Sequence, residues 1–476
     1  SFTPDTMADD NGYPIMQNLY NRLVKLDASK SIIPDLAQTW DFSEDGKKIT
    51  FHLVKNAKWT DGKPVTSKDV KYTFDTIKDN PTYIISANLQ VVDNIETPDD
   101  YTVVFNLKEA DVALVSHLGW YACFIVPEHI YNNGQAWDDN PAGKNPVTSG
   151  PFKLDKFVQG QSTTLVPNMD YFAGAPKLSK IIFTIIPDDA TAIQSFLAGE
   201  IDDLGNVPPA NVPEFLKNPN VQMNLNIFPS PMRIIFNLKN DKVKDLAVRK
   251  AIAQAIDRDE ISQKVFAGIQ PPEYSMYPSV VEWAANTTDT LPTFNIEAAR
   301  KTLEDAGYKA DAEGYYIRGL EIECFQDGNY PDAAKLMAAT LAKAGIELKV
   351  NVSEFNAWVA KVGDQRDFMM ELQGGFMGPD PNALRTRYST GSGMNWGSYS
   401  NPEFDKLVEE AGKEGDQAKR AKLYKEAQKI LAADVPYIPI VGYAAYEAFS
   451  ADFINLPIEG TGKWGGQEYT YTEKVK

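Results

Sequence analysis

Between residues 48 and 59, apolar Ile49, Phe51 and Leu53 alternate with polar neighbours, the period-two pattern of a strand with one buried face. Asp61-Gly62 then makes a turn, 68–77 reads as a helix, and a strand at 101–107 with the turn pair Asn145-Pro146 completes a compact αβ piece. Farther along, Leu246, Ile252, Ala255, Ile256 and Ile261 recur at helical spacing, with Gly268 behind them as a stop. One long amphipathic helix over 245–266 is expected, preceded by a strand at 234–237. Helix 296–306, strand 320–325, helix 330–344 and strand 346–352 follow, the two helices ended by Gly307 and Gly345. Helices 402–412 and 417–432 lead to an apolar strand at 437–441, after which the chain reads as irregular and aromatic. Such regular alternation predicts a sheet layered with helices.

Composition narrows what this scaffold does. A chain of 476 residues is too long for one core and should divide into two or three domains. Its 43% hydrophobic and 24% charged residues are those of a globular protein, without a run of about 18 apolar residues. A net charge of -18, with basic residues scattered in short pairs such as Lys47-Lys48, argues against nucleic acid or anionic membrane as partner. Cys123 and Cys324 lie far apart in apolar surroundings and are expected as buried free thiols, with no zinc-type pairing.

Catalytic signatures are lacking. His52, His117 and His129 form no metal or hydrolase motif, and no nucleophile elbow or Walker loop occurs. Gly460, Gly462 and Gly465 satisfy G-x-G-x-x-G in letters, but no strand precedes them and no helix follows, so a plain loop is expected. Glu200, Asp202 and Asp203 point different ways on regular structure and read as a helix-end turn. Neither an enzyme, a metal site nor a cofactor is implied.

An ordered set of short segments is more specific. It comprises Leu19-Tyr20-Asn21-Arg22-Leu23-Val24, Pro34-Asp35-Leu36-Ala37, Lys58-Trp59-Thr60-Asp61-Gly62, Ser149-Gly150-Pro151-Phe152, Asn168 with Asp170-Tyr171, and Gly199-Glu200-Ile201-Asp202. Val248, Arg249, Ala251, Ala255, Ile256 and Asp257 add a further element. In order and spacing this set resembles the large extracytoplasmic solute-binding proteins of ABC importers, the family of dipeptide, oligopeptide and nickel binders. The resemblance implies an α/β, two-lobed periplasmic-binding-protein-like fold of type II, with an extra small αβ domain and a hinge. It divides the chain into domain I (1–40, 152–230 and 441–476), domain II (41–151) and domain III (231–440), with crossings near 229–232 and 436–441. Family members carry an opening strand before the position of Ser1, so mature sequence, including a lipid-anchored cysteine, is expected upstream.

The same resemblance places a ligand between lobes that close over it. One wall would be the loop Asp10, Asn11, Gly12 and Tyr13; the other would be Gly374, Gly375, Phe376, Met377 and Asp380, followed by Asn395 and Trp396. Glycines would let backbone approach the ligand, while the aromatic cluster reads equally as lobe core. Lys361 falls near a basic position that meets the ligand carboxylate in dipeptide binders, although a helical lysine is also an ordinary solvated residue. Phe376 occupies the place of the aspartate that holds a peptide ammonium in relatives, leaving Asp380 or Asp10 as substitutes. A peptide delivered to ABC permease subunits by a monomeric carrier is the first expectation. An oligosaccharide stacked on Trp358, Trp396 and Tyr13 is the alternative.

Overall fold

The computed structural model describes residues 2–4, 12–27, 30–83, 85–120, 123–326, 328–375, 377–378, 380–457 and 468–475. Asp10, Asn11, Phe376 and the 460–465 glycine segment therefore lie outside the described residues. The chain forms two units: 1–226 with 412–415 and 446–476, and 227–411 with 416–445. The first takes in 41–151, read above as domain II, and all of domain I as read above except 227–230 and 441–445. Among the described residues, no helix is long and apolar enough to cross a membrane.

In the first unit, helix α1 (Tyr13–Leu19) precedes strands β1 (Ala37–Phe42) and β2 (Lys48–Leu53), helix α2 (Ser67–Asp79), and strands β3 (Val92–Asp99) and β4 (Thr102–Leu107). The four strands form an antiparallel sheet in the order β1-β2-β4-β3. Ile49, Phe51 and Leu53 are buried, as their alternation requires, and meet Phe74 and Ile77 of α2 in one core. Thr66 and Asp69 close α2 with a reciprocal capping box.

The Ser-Gly-Pro-Phe segment earns its place sterically. Gly150 donates its N–H to the Leu19 carbonyl at the end of α1 (2.8 Å). A Cβ there would lie 2.5 Å from the Leu19 carbonyl carbon, so only glycine fits. Asn168 secures the same turn through Nδ2 to the Gly150 carbonyl, and the Asn21 side chain donates to Tyr171 Oη and to Asp35. Strands β5 (Phe152–Val158), β6 (Ser162–Pro167) and β7 (Ile181–Thr184) then pair antiparallel. The C-terminal segment returns here: Lys25 ion-pairs with Glu468, and Tyr469 N–H donates to Asn18 Oδ1.

The second unit starts within β8 (Val221–Phe236). Helices α3 (Leu246–Ala255), α4 (Arg258–Phe266) and α5 (Ile296–Asp305) follow, then β9 (Ile317–Phe325), α6 (Tyr330–Lys343), β10 (Ile346–Ser353), β11 (Met370–Gln373), α7 (Ala383–Tyr388), α8 (Gln417–Asp434) and β12 (Tyr437–Ser450). Its strands are ordered β12-β8-β11-β9-β10. Strand β9 pairs parallel with both β10 and β11, as a crossover through α6 demands, whereas β8 and β11 are antiparallel. Ala333, Ala334, Met337 and Leu341 bury one face of α6 in the core that includes Ile322 and Ile346.

Two expectations are corrected. The helix expected over 245–266 is two helices, because Ile256 takes an extended conformation and the Asp257 carboxylate caps α4 by accepting the Glu260 N–H at 2.8 Å. The tail after Val441 does not become irregular at once, since β12 continues to Ser450. Both cysteines are buried, and the Cys123 thiol donates to the His117 carbonyl.

Gly150→Ala should destabilise the protein by about 1–3 kcal/mol, the usual range for forcing an extra methyl into packed surroundings. Urea denaturation measures it. An unchanged midpoint would show that the turn opens freely at Leu19.

Candidate ligand-binding face

The site is built on the β8–β11 pair. Arg233 lies opposite Gln373 and Ile235 opposite Glu371, so all four side chains emerge on one face of the sheet. Arg233 and Glu371 are both 0% exposed. The Arg233 Nη1 donates to the Gly375 carbonyl at 3.1 Å, with a longer contact to the Pro231 carbonyl. Its Nε and Nη2 have no hydrogen-bond partner among the described residues. Glu371 accepts from Gln373 Nε2 at 2.8 Å through one oxygen, and its Oε2 is likewise unpartnered.

Unpaired donors of this kind cost about 1–3 kcal/mol each, more when charged, so a group that satisfies them is stabilising. Burial pushes the Glu371 carboxyl up to about 8, against the opposing pull of Arg233. Arg387, at the end of α7, is pushed down to about 10 by burial and then by the like charge of Arg233. Arg387 also borders a small surface pocket together with Ile235, Tyr388 and Trp396. Tyr388 stacks on Tyr437 with ring centroids 4.3 Å apart, which fixes that wall.

Aromatic residues border the glycine strand end. The Tyr330 hydroxyl packs so closely on Gly374 that a Cβ would overlap it, while Gly375 sits at φ +115° facing open space. Phe325 lies against Tyr330, Phe355 and Trp358, and Trp358 against Trp396 at 6.1 Å. Arg366 covers the Trp396 ring at 4.8 Å.

The residues singled out from sequence divide accordingly. Gly374, Gly375, Trp358 and Trp396 come together in this unit. Met377 is core, with its N–H donated to the Pro229 carbonyl. Asp380, expected as a substitute acid for a ligand, is instead a buried structural carboxylate: Arg420 grips both its oxygens at 2.8 and 3.0 Å, and Asn382 N–H adds a third donor. Asn395 is also spent internally, its amide donating to the Ser389 and Tyr399 carbonyls and its Oδ1 accepting from Tyr399 N–H.

Lys361 sits on a π-helical turn (Val359–Asp364) and ion-pairs with buried Glu323 at 2.7 Å. In the first unit, Gly12 starts α1 and Tyr13 is buried, its hydroxyl on Arg22 and its ring 5.6 Å from that of Phe124. Arg233, Glu371 and Arg387 were missed, though a signal existed. Arg233 and Glu371 are single charges inside the apolar runs Met232-Arg233-Ile234-Ile235-Phe236 and Met370-Glu371-Leu372, where a charge is costly without a purpose. Among the described residues no group of three or more His, Cys, Asp or Glu could hold a metal ion.

A parallel β-α-β layer whose strand ends carry a glycine turn bordered by aromatic and buried polar side chains is a build suited to holding a solute. The profile of the bacterial extracellular solute-binding proteins, family 5 (middle region), matches residues 31–396, and the chain belongs to that family. It is 30% identical over 463 residues to di/tripeptide-binding protein 1 of Pseudomonas aeruginosa, covering 90% of this chain and 84% of that protein. Among solved structures, HbpA2 of Haemophilus parasuis shares the fold at a TM-score of 0.88 and 23% identity, over 100% of this chain and 97% of that one. The oligopeptide-binding protein AppA of Bacillus subtilis, solved with a nonapeptide, matches at 0.69 and 26%, over 98% and 95%.

The buried Glu371 predicts a pH dependence of its own. Its folded-state carboxyl titrates near 8 against an ordinary value of 4.5, so the folded protein holds the proton more tightly. The stability this contributes is complete below about pH 4.5 and is lost as pH rises through 8. In thermal unfolding from pH 4.5 to 8.5, wild type should therefore lose stability relative to Glu371→Gln. Parallel curves would place the Glu371 proton elsewhere.

Proposed function

We propose that this protein is a non-enzymatic carrier that captures a peptide outside the cytoplasm and presents it to an ABC permease. The observation that carries the reading is the pairing of family membership with a polar site in which buried hydrogen-bonding groups, and a glycine backbone facing open space, stand ready for a ligand. Peptides suit such a site because their amides and termini supply donors and acceptors while side chains vary. The peptide-binding relative supports the same choice.

The oligosaccharide alternative rested on aromatic platforms, and those are largely taken by protein neighbours. Trp358 is wedged against Phe325, Phe355 and Trp396, and Tyr13 is buried beside Phe124 and Arg22. Of the residues expected from sequence, Gly374, Gly375 and Trp396 are retained here as ligand contacts.

Mass spectrometry of solute released from the purified protein tests this directly, and short peptides are expected. After the solute is stripped, a bound peptide at about a hundred times its Kd should add about 2.7 kcal/mol to unfolding stability and be recovered intact. Release of sugars would overturn the peptide reading, and cleavage of the offered peptide would overturn carriage without turnover.

A further inference from the structure

We propose that Asp203 and Glu447, two carboxyl groups of the first unit, form with Tyr469 a pH-sensitive clasp that holds the C-terminal segment 468–475 in acid and loosens it toward neutrality. The inference stands apart from the carrier reading and does not depend on the solute.

Strand register brings the two carboxyls together. The strand Asp203–Val207 pairs antiparallel with β12 and sets Asp203 opposite Phe449. Glu447 lies two residues from Phe449 along β12, so its side chain emerges on the same sheet face as that of Asp203. Glu447 is buried, and the two carboxyls lie within hydrogen-bonding reach of each other. Yet Asp203 Oδ1 meets no N–H or O–H donor among the described residues. A proton shared with Glu447 satisfies that oxygen, as in paired carboxyls that cannot both ionise.

The C-terminal segment is tied to this pair. The Tyr469 hydroxyl donates to Asp203 Oδ2, while Asn226 Nδ2 donates to Glu447 Oε2 at 3.0 Å. The charged and titratable groups that bear on Asp203 are Tyr469, Glu447 and the adjacent Asp202, with no cation among the described residues. Lys25, the buried cation nearest along this segment, is taken up by Glu468 and Asp35. Burial pushes the Asp203 carboxyl up to about 6, against the pull of its hydrogen bonds to Tyr469 and Glu447. The folded protein therefore holds the proton more tightly than an opened one. That stabilisation is complete below the ordinary value of 3.8 and is lost as pH rises through about 6.

Loss of the proton leaves two anions facing each other, and the single hydroxyl proton of Tyr469 cannot match both. Admitting water relieves them, and the C-terminal segment is the cover that yields most easily. Strand β12 is held between β8 and the strand Asp203–Val207. The segment has only a two-residue pairing of Glu473–Lys474 with Phe453–Ile454, besides the Tyr469 N–H on Asn18 Oδ1 and the Val475 N–H on the Asp452 carbonyl.

Hydrogen–deuterium exchange of the full chain, corrected for the intrinsic pH dependence of exchange, reads this opening through the amides of Tyr469, Thr472 and Val475. Between about pH 5 and 7.5, a carboxyl that titrates near 6 when closed and 3.8 when open favours opening by about tenfold. Protection in wild type should fall by that factor. In Asp203→Asn it should stay level, because the amide keeps an acceptor for Tyr469 and offers Glu447 an N–H in place of the shared proton. Glu447→Gln serves if the first variant fails to fold. Equal protection of wild type at both pH values, or the same fall in a folded variant, overturns the proposal. Should neither variant fold, the shape of the wild-type fall decides: levelling off by about pH 7 sustains the clasp, and a fall that continues beyond it overturns it.

Discussion

A charge buried without a partner is the constraint around which the second unit is arranged. Arg233 could not sit at 0% exposure in an apolar strand unless something repaid its lost hydration, and among the described residues it makes only one good hydrogen bond, to the Gly375 carbonyl. The glycine turn after β11 is therefore tied to β8 by the same side chain that leaves two donors open. Glu371 stands in the mirror situation, with one oxygen bound and one free. Other buried charges are matched more fully: Arg420 grips Asp380 with two bonds, and Arg249 donates to the carbonyls of Val243, Lys244, Asp434 and Val435. Arg233 and Glu371 together leave three unpartnered polar atoms, Nε, Nη2 and Oε2, on one face of the β8–β11 pair.

Rigid surroundings make that reserve useful. Tyr388 stacked on Tyr437 holds the end of α7, the Asp380–Arg420 pair fixes the loop before it, and Asn395 clasps the loop after it. Two residues expected from sequence position to touch ligand, Asp380 and Asn395, thus position others. Donors held in place before a ligand arrives lose less entropy on binding, the usual source of affinity in a preorganised site.

Much of the fold was legible because its signals are local. Alternation at Ile49, Phe51 and Leu53 and the helix-ending Gly307 and Gly345 act over a few residues, and the Ser149-Gly150-Pro151-Phe152 turn is set by one close contact with Leu19. The break between α3 and α4 was hidden, since the apolar spacing continues across it and only the capping carboxylate of Asp257 ends one helix and starts the next. The site was less legible for a related reason. Whether Asp380 faces a ligand or Arg420, forty residues away, depends on tertiary packing that spacing does not encode. Arg233 and Glu371 were visible as lone charges in apolar strands, but their shared face followed only from the β8–β11 register.

The most direct measurement of the central claim is a crystal structure of the protein with the solute it carries from its source. The account predicts a solute oxygen about 2.7–2.9 Å from Nε or Nη2 of Arg233, the length of a charge-assisted hydrogen bond. A well-ordered solute bound elsewhere, with only water at those two donors, would contradict it.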